Sequence, residues 1–347
     1  MSSYYIPEDI IFKILLLLPA KSLLRFTAVC KLWQSIISNP QFIYTHLANS
    51  RNKQARVGIL ATRVDSCSSI DIIDHEELIT KIPLPPQCHR MIRYARTSSC
   101  NGLVCLDNGN SDILHVWNPL TRQFKKISIP KGECSFTRCA FALGFGYDSI
   151  SDDYKILRMV KFGHGVIEAQ LFSFNTDCWK KIQIPKTIQS LLGLYSNFDW
   201  VQFRTGVFYM DGSNELISLD LHNEVFGVHP YPLQHKKRSH ALNFQDSVAM
   251  IFESIGDAAV TLWTLDDFGG GKMSWIKSLK LEANPKINWV YFVLGVGQIL
   301  AHDMDIGCFF YDYKKQTTKE VCKDISMISA FKYTESLVSL KWFGKKQ

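Results

Sequence analysis

Several short stretches carry residue types that could do chemistry, and their spacing tests each of them. Gly-Gly-Gly-Lys at 269–272 is similar to a phosphate-binding loop, but Met273 stands where such a loop needs Ser or Thr for magnesium. His229, His235 and His240 share one segment with three Lys or Arg charges, which favours a solvated connection over a metal site. The sequence contains no His-Glu-x-x-His and no Cys-x-x-Cys. We therefore predict no catalytic residues, no metal site and no cofactor, so that the protein is not an enzyme.

The cysteines and the first residues of the chain bear on its compartment. The two close cysteine pairs are each five residues apart, an odd offset that points side chains to opposite faces of a strand. Glu8 and Asp9 precede the apolar run at 10–18, whereas a signal peptide begins with basic residues. Lys13 interrupts that run, and a membrane span needs about 20 apolar residues. We therefore expect free thiols in a cytoplasmic or nuclear protein that is neither exported nor inserted in a membrane.

The elements that position any functional residue begin with a helix that is apolar on every side. One stripe of this helix consists of Ile10, Ile11, Ile14, Leu15 and Leu18, and the rest is largely covered by Phe12, Leu16 and Leu17. A helix that is apolar all round must be buried all round, and three turns cannot bury themselves. The residues that follow have helical spacing and supply one neighbour. About fifty residues still form a marginal core, so the pattern predicts a second protein as the other neighbour.

The segment IPEDIIFKILLLLPAKSLLRFTAVCKLWQSIISNPQFIYTHL, residues 6–47, closely resembles the F-box in the form common in plants, with Ile6-Pro7 in place of the usual Leu-Pro. The resemblance implies docking on the Skp-family adaptor of a cullin-based ubiquitin ligase, and through it association with the cullin and a RING subunit. The residues that it implies for the adaptor contact are Pro7, Ile11, Ile14, Leu15, Leu18, Pro19, Leu23, Val29 and Trp33. The alternative is that all of these residues form only an internal helical core.

Beyond residue 50 the helical period disappears. Residues 1–50 are predicted as the small all-α F-box and 51–56 as a polar, basic linker. Residues 57–347 alternate short Val-, Ile-, Phe- and Tyr-rich runs with Gly, Asn, Asp and Pro turns, which predicts an all-β domain. Repeated units in this domain end at Pro83, Pro130, Pro185, Pro232, Leu281 and Val321. Their spacing is the length of a four-stranded propeller blade, so we predict a six-bladed β-propeller, with a stacked β-sandwich as the alternative.

The repeats also carry a family resemblance. SSCNGLVCL, VWNPLTRQFKKI, GFGYDSISDDYKI and YTESLVSL are similar to stretches of the F-box-associated propeller domain of plant F-box proteins, including those of the S-locus type. The ring of a propeller must be closed by contacts between its two ends. The final apolar run MISAFKYTESLVSLKWF is expected to close it by pairing with the first blade. The candidates for the inner strands are GLVCL, LGFGY, GVFYM and VAMIF. Because these runs are apolar, they argue against an enzyme site in the central channel.

The predicted function is therefore positioning without covalent chemistry. The F-box holds the adaptor, the propeller holds an unidentified target protein, and the other ligase subunits transfer ubiquitin to that target for proteasomal degradation. The alternatives are a propeller scaffold without a ligase role and a propeller enzyme.

The basic residues of the chain suggest where the target binds. All connections between blades emerge on one face of a propeller, and the predicted ones are 84–97, 130–138, 185–198, 229–240 and 281–288. These segments together carry a net charge of +8, against +7 for the whole chain. The pattern predicts an acidic protein target steered by Arg90, Arg93, Arg96, Lys236, Lys237 and Arg238. Six charges with little aromatic interleaving make nucleic acid a poor fit, and no membrane partner is expected. The alternative is that these loops are merely solvated.

Overall fold

The computed structural model describes most of the chain in segments separated by short gaps. These segments are residues 6–52, 57–63, 69–73, 79–88, 96–107, 113–130, 139–162, 166–192, 201–204, 206–212, 215–232, 239–244, 247–253, 259–267, 273–282, 287, 289–294, 297–303, 307–322 and 327–342.

The first segment folds into four short helices, which we call the helical unit (residues 6–52). The helices are α1 (Glu8–Leu16), α2 (Ala20–Phe26), α3 (Lys31–Ser38) and α4 (Pro40–Asn52). Pro7 and Pro19 directly precede α1 and α2, where the missing proline N–H costs nothing. The side chain of Asn39 accepts a hydrogen bond of 2.8 Å from the Gln41 N–H and so caps the start of α4. Helix α4 ends two residues into the predicted linker, and 53–56 lie outside the described residues.

The rest of the described chain forms six four-stranded antiparallel sheets. In the first three, from the inner strand outward, the strands are β24 (Met327–Thr334), β1 (Val57–Arg63), β2 (Ser69–Ile73), β3 (Ile79–Pro83); β4 (Arg96–Cys100), β5 (Leu103–Asp107), β6 (Ile113–Trp117), β7 (Phe124–Ser128); and β8 (Cys139–Asp148), β9 (Asp153–Lys161), β10 (Ile167–Ser173), β11 (Cys178–Ile182). In the last three they are β12 (Val201–Arg204), β13 (Val207–Asp211), β14 (Glu215–Asp220), β15 (Phe226–Pro230); β16 (Ser239–Phe244), β17 (Ser247–Glu253), β18 (Ala259–Asp267), β19 (Met273–Glu282); and β20 (Trp289–Leu294), β21 (Gln298–Asp303), β22 (Gly307–Asp312), β23 (Thr317–Cys322). One further helix, α5 (Lys186–Leu192), lies between the third and fourth sheets.

The sheets are arranged as the blades of a propeller. The inner strands β24, β4, β8, β12, β16 and β20 contact one another in that order, and β20 contacts β24 again. The β-sandwich alternative is therefore wrong. The first blade takes its inner strand from the far end of the sequence, because β24 pairs with β1 in the register Gly58↔Tyr333. The expectation that the final apolar run pairs with the first blade is confirmed.

The inner-strand candidates need a correction. Three of them, GLVCL, GVFYM and VAMIF, lie in the second strands β5, β13 and β17, and only LGFGY lies in an inner strand, β8. The reason is that the glycine at the start of a repeat belongs to the turn between the first two strands of a blade. Gly102, Gly206 and Gly297 adopt the positive φ angles that such turns require.

Successive blades are fastened at their outer strands by a repeated set of contacts. The indole N–H of Trp179 in β11 donates to the backbone carbonyl of Ser128 at 2.8 Å, and Trp275 in β19 donates to Pro230 at 2.7 Å. Each bond joins one outer strand to the outer strand of the preceding blade. Lys125 in β7 also pairs at 2.7 Å with Asp177 in the third blade. These contacts fix the angle between neighbouring blades and hence the relative positions of their turns.

The propeller has two faces that differ in what they carry. Because the strands of a blade are antiparallel, the turns that join its first to second and third to fourth strands emerge on one face, which we call the turn face. The second-to-third turns and the connections between blades emerge on the other face, which we call the connection face. The hydrophobic core of the helical unit is continuous with that of the second and third blades. Tyr44 of α4 contacts Tyr147 and Asp152 at the turn between β8 and β9, which places the helical unit on the turn face.

Candidate protein-binding surface

Helix α1 presents one apolar stripe to solvent and another to the protein interior. Ile10, Ile14 and Leu17 stand at positions i, i+4 and i+7 and are 41%, 50% and 63% exposed. On the opposite side Leu15 is fully buried, and Ile11 and Leu18 pack against the core. The chain itself therefore supplies one of the two neighbours that this helix was predicted to need. The other stripe is uncovered in the described structure.

More apolar side chains are exposed elsewhere in the helical unit. Twelve large apolar residues are exposed among those the structure describes, and seven of them lie between residues 6 and 32. We call these seven the apolar patch: Ile6, Ile10, Ile14, Leu17, Leu24, Val29 and Leu32. Concentration of exposed apolar side chains in one small unit is typical of a protein–protein contact surface.

The structure divides the nine residues predicted for the adaptor contact into two groups. Pro7, Ile14, Pro19 and Val29 are exposed. Ile11, Leu18 and Trp33 are partly buried against the core, and Leu15 and Leu23 are fully buried. Placing Leu15 and Leu23 in a contact with another protein needs correction, because the helices of this chain already cover them. The sequence could not separate the two stripes, since both are apolar.

Sequence reasoning also missed five residues of the apolar patch that point outward. The exposed residues that were not among the predicted contact residues are Ile6, Ile10, Leu17, Leu24 and Leu32. Ile10 lies four residues before Ile14 on α1, and Leu17, the C-cap of α1, lies three residues after it, so helical spacing from Ile14 could have found both. Leu24 and Leu32 lie on α2 and α3, whose outward faces depend on how the helices pack.

The interior of the helical unit is held by aromatic packing and one buried histidine. Phe12 meets Phe42 edge to face at 5.1 Å, and Phe26 lies 5.3 Å from Trp33. The ring nitrogen Nε2 of His46 lies 2.7 Å from the carbonyl oxygen of Leu18. These contacts tie α4 to the end of α1 and to the loop before α2. They keep the outward stripe of α1 in a fixed orientation.

The helical unit rests on the propeller through Tyr44 of α4. The ring of Tyr44 stacks on Tyr147 at 6.0 Å, and its hydroxyl donates to Asp152 at 3.4 Å. Tyr147 donates to the same carboxylate at 2.6 Å. Burial, with the nearby negative charge of Asp152, raises the pKa of Tyr44 to about 12. Both tyrosines are therefore neutral donors at physiological pH, and the contact with the turn face of the third blade is polar as well as apolar.

The six residues predicted to steer a target fall largely outside the described residues. Arg90, Arg93, Lys236, Lys237 and Arg238 lie in 89–95 and 233–238, and only the backbone of Arg96 is described, as the first residue of β4. In sequence, both segments fall between the last strand of one blade and the first strand of the next. The described ends of those flanking strands lie on the connection face, opposite the helical unit.

Among the residues that the structure describes, the ionisable groups whose pKa is shifted do not assemble into a reactive centre. Burial lowers the pKa of His115 and of His229, which lie in different blades. Burial would raise the pKa of Asp148, but hydrogen bonds from Ser151, Lys155 and the Ile150 N–H hold it well below its usual range. Lys155 reaches that carboxylate at 2.9 Å and also donates to the Leu221 carbonyl at 2.6 Å, so this network joins the third and fourth blades.

Within the described segments, no three His, Cys, Asp or Glu side chains are placed to hold a metal ion. None of the helices there has the length and apolar character to cross a membrane.

Comparison with known proteins identifies both parts of the chain. Residues 4–50 match the F-box-like family, and residues 56–340 match the family described as F-box associated beta propeller domain. Among curated relatives from Arabidopsis thaliana, F-box/kelch-repeat protein At3g23880 is 26% identical over 81% of this chain and 80% of its own length. Putative F-box protein At4g21240 is 30% identical over 82% of this chain and 71% of its own. F-box protein CPR1 is 35% identical over 55% of this chain and 48% of its own.

Proposed function

Because this chain belongs to the family of F-box proteins with an F-box-associated β-propeller domain, we propose that it is the substrate-recognition subunit of a cullin-based ubiquitin ligase. The F-box binds a Skp-family adaptor, which connects the chain to the cullin and the RING subunit. The propeller binds a target protein. The complex works in the cytoplasm, the nucleus or both.

The observation that carries this proposal is the outward stripe of α1. Ile10, Ile14 and Leu17 are apolar and exposed on a helix whose other stripe is already buried. Covering exposed apolar surface of this kind with another protein contributes a favourable free energy of about 25 cal/mol per Å². Pro7, Pro19 and Val29 are exposed around the helix and belong to the same proposed contact. Leu15, Leu23 and Trp33 support that contact from behind by fixing the helices.

The chain contributes geometry to the reaction. Holding adaptor and target on one body turns an encounter between separate proteins into a local one, so the effective concentration of target lysines near the ligase rises. The F-box lies on the turn face, so a target bound on the connection face would lie on the side of the propeller away from the adaptor.

We propose that the target is acidic and binds the connection face. Arg90, Arg93 and Arg96 belong to the connection into the second blade, and the basic run at 236–238 belongs to the connection into the fifth. A positive surface raises the association rate of an acidic partner and does so less at high salt.

A reconstitution experiment tests the proposed function. The intact chain and a variant with Ile14→Asp and Leu17→Asp are each mixed with a Skp-family adaptor, cullin and RING subunit. The proteins that bind to the intact chain are then compared with those that bind to the variant. With the proteasome blocked in cells, targets should carry ubiquitin only when the intact chain is present. Failure of the intact chain to bind the adaptor would contradict the ligase role.

A further inference from the structure

The four sequence motifs shared with F-box-associated propellers meet in one place on the molecule. They are the segments 98–106, 116–127, 144–156 and 333–340, which are separated in sequence. The first two lie in the second blade and the third lies in the third blade, whereas the last begins in β24 of the first blade and continues beyond it. Part of each motif lies at the turn face next to the helical unit or directly beneath it. Nothing in the proposed function so far gives these motifs a role.

The last of these motifs crosses the turn face after the ring has been closed. Residues 335–342, which we call the tail, continue from the inner strand β24 and run over the second blade. The side-chain amide of Asn118 donates to the carbonyls of Ser336 and Val338 at 3.0 and 2.8 Å. The side-chain carbonyl of Gln123 accepts from the Ser339 hydroxyl at 2.9 Å and from the Leu340 N–H at 2.7 Å. Asn118 and Gln123 both belong to the motif at 116–127.

The motif at 98–106 makes room for the tail at its glycine. Gly102 has φ +78°, and a Cβ atom there would lie 2.4 Å from the Cβ of Ser336 and 2.6 Å from the carbonyl oxygen of Thr334. A side chain at this position is thus excluded by both the backbone conformation and the tail. The tail therefore lies directly against the turn between β4 and β5.

The far side of the tail contacts the F-box. Leu337, Val338 and Leu340 share one hydrophobic core with buried residues of all four F-box helices. Trp342 at the end of the tail lies 6.3 Å from Tyr44 of α4. The motif at 144–156 completes the contact, since its Tyr147 and Asp152 are the partners of Tyr44 on the third blade.

We propose that these four motifs form a seat that holds the F-box in one orientation on the turn face, with Tyr44 and Trp342 as its positioning residues. The tail is the central part of the seat, because the strand that closes the ring continues into it. Orientation of the F-box is thus coupled to closure of the ring. The value of this orientation for ubiquitin transfer rests on the proposed ligase role, but the seat itself is a property of the isolated chain.

The four motifs thus serve F-box placement, and target choice lies in other parts of the propeller. Exchange of the connection-face segments between related chains is then expected to change the target without disturbing the F-box. Exchange of the four motifs is expected to disturb F-box placement.

Distance measurement between two spin labels tests the seat directly. Cys30 in the F-box and Cys178 in the third blade are both exposed, whereas Cys88, Cys100, Cys105 and Cys308 are buried. The cysteines at 67, 134, 139 and 322 are replaced by serine, and the full chain is labelled at Cys30 and Cys178. We expect one narrow distance distribution. It should be lost in the variant with Tyr44→Ala and Trp342→Ala and kept in the exposed control Lys341→Ala.

Further measurements separate positioning from folding. The conservative variant with Tyr44→Phe and Trp342→Phe keeps the ring contacts and should restore the narrow distribution. Circular dichroism should show unchanged helix content in the alanine variant. A narrow distribution in the alanine variant would overturn the inference, and so would loss of its helices, which would make both residues part of the F-box fold. No adaptor or target is present, so the outcome is independent of the ligase test.

Discussion

The outward stripe of α1 offers the sharpest test of the protein-binding surface. We expect Ile14→Asp combined with Leu17→Asp to abolish adaptor binding while the fold remains intact. Fully burying one such side chain contributes about 1.5–3 kcal/mol, so covering the exposed half of each contributes roughly 1 kcal/mol or more per residue. A carboxylate without a partner in an apolar contact costs roughly a further 1–3 kcal/mol each. The total is at least about 4 kcal/mol, or roughly a thousandfold in Kd.

Isothermal titration calorimetry with a purified Skp-family adaptor measures this loss, and thermal melting checks the fold. The matched control is Ile276→Asp on the outer strand of the fifth blade, where the same change is made at 40% exposure. Leu15→Ala provides the opposite contrast. Because Leu15 is fully buried, its truncation should destabilise the helical unit by about 2–5 kcal/mol. Binding by the double Asp variant close to that of the Ile276→Asp control would refute the assignment of this stripe.

Four other outcomes are expected. Deleting residues 326–347 should expose the edge of β1 and remove cooperative melting; a sharp transition at an unchanged Tm would contradict ring closure by β24. Gly102→Ala should lower the Tm, because the added Cβ meets the tail and φ is positive, costing roughly 1–3 kcal/mol for the backbone alone; an unchanged Tm would count against the close approach. Burial raises the pKa of Asp211 to about 7, above 3.8 for an ordinary carboxyl, although a hydrogen bond from Tyr231 opposes the rise. Between about pH 4 and 7 the folded state therefore holds a proton that the unfolded state has lost. The stability present below about pH 4 is lost as pH rises through 7, and Asp211→Asn should flatten the fall in Tm between about pH 4 and 7. Reversing residues 236–238 to Glu should slow target association and flatten its salt dependence, as stopped-flow measurements at several ionic strengths would show; unchanged rates at low salt would exclude this part of the connection face.

The architecture of the propeller could be predicted from the sequence because its repeats carry local turn chemistry. Asn118, Asp220 and Asp312 each accept two backbone N–H groups at the turn between the third and fourth strands. Four residues after each of them comes a residue with positive φ: Arg122, Glu224 and Gln316. This signal recurs in the second, fourth and sixth blades, and its repetition marks the blade length. The strand that a given run occupies within a blade was harder to predict, since apolar runs occur in more than one strand of a blade: β5 and β6 are both almost fully buried.

The surface of the F-box was only half predictable, for a physical reason. A helix that is apolar on both sides indicates two neighbours, but the pattern does not indicate which stripe faces the chain's own core and which faces another protein. Leu15 and Ile14 are adjacent in sequence and chemically alike, yet one is fully buried and the other half exposed. Helix α4 packs against α1 and so decides which stripe is buried, and the core that contains Leu15 extends to Leu337, Val338 and Leu340 at the other end of the sequence. The seat was out of reach for the same reason, because its parts meet only when the ring has closed.

Closure by β24 also sets the order in which a newly made chain can mature. Strand β24 begins 264 residues after β1 ends, so at 5–20 residues per second the ribosome needs roughly 13–50 s to supply the missing inner strand. During that interval β1 has an unpaired edge, which is the kind of surface that joins other strands. The tail follows β24 in synthesis, so the site that receives the F-box is completed later still. Nascent chains halted before β24 would thus carry an F-box with no fixed place, and the cell must protect or remove them.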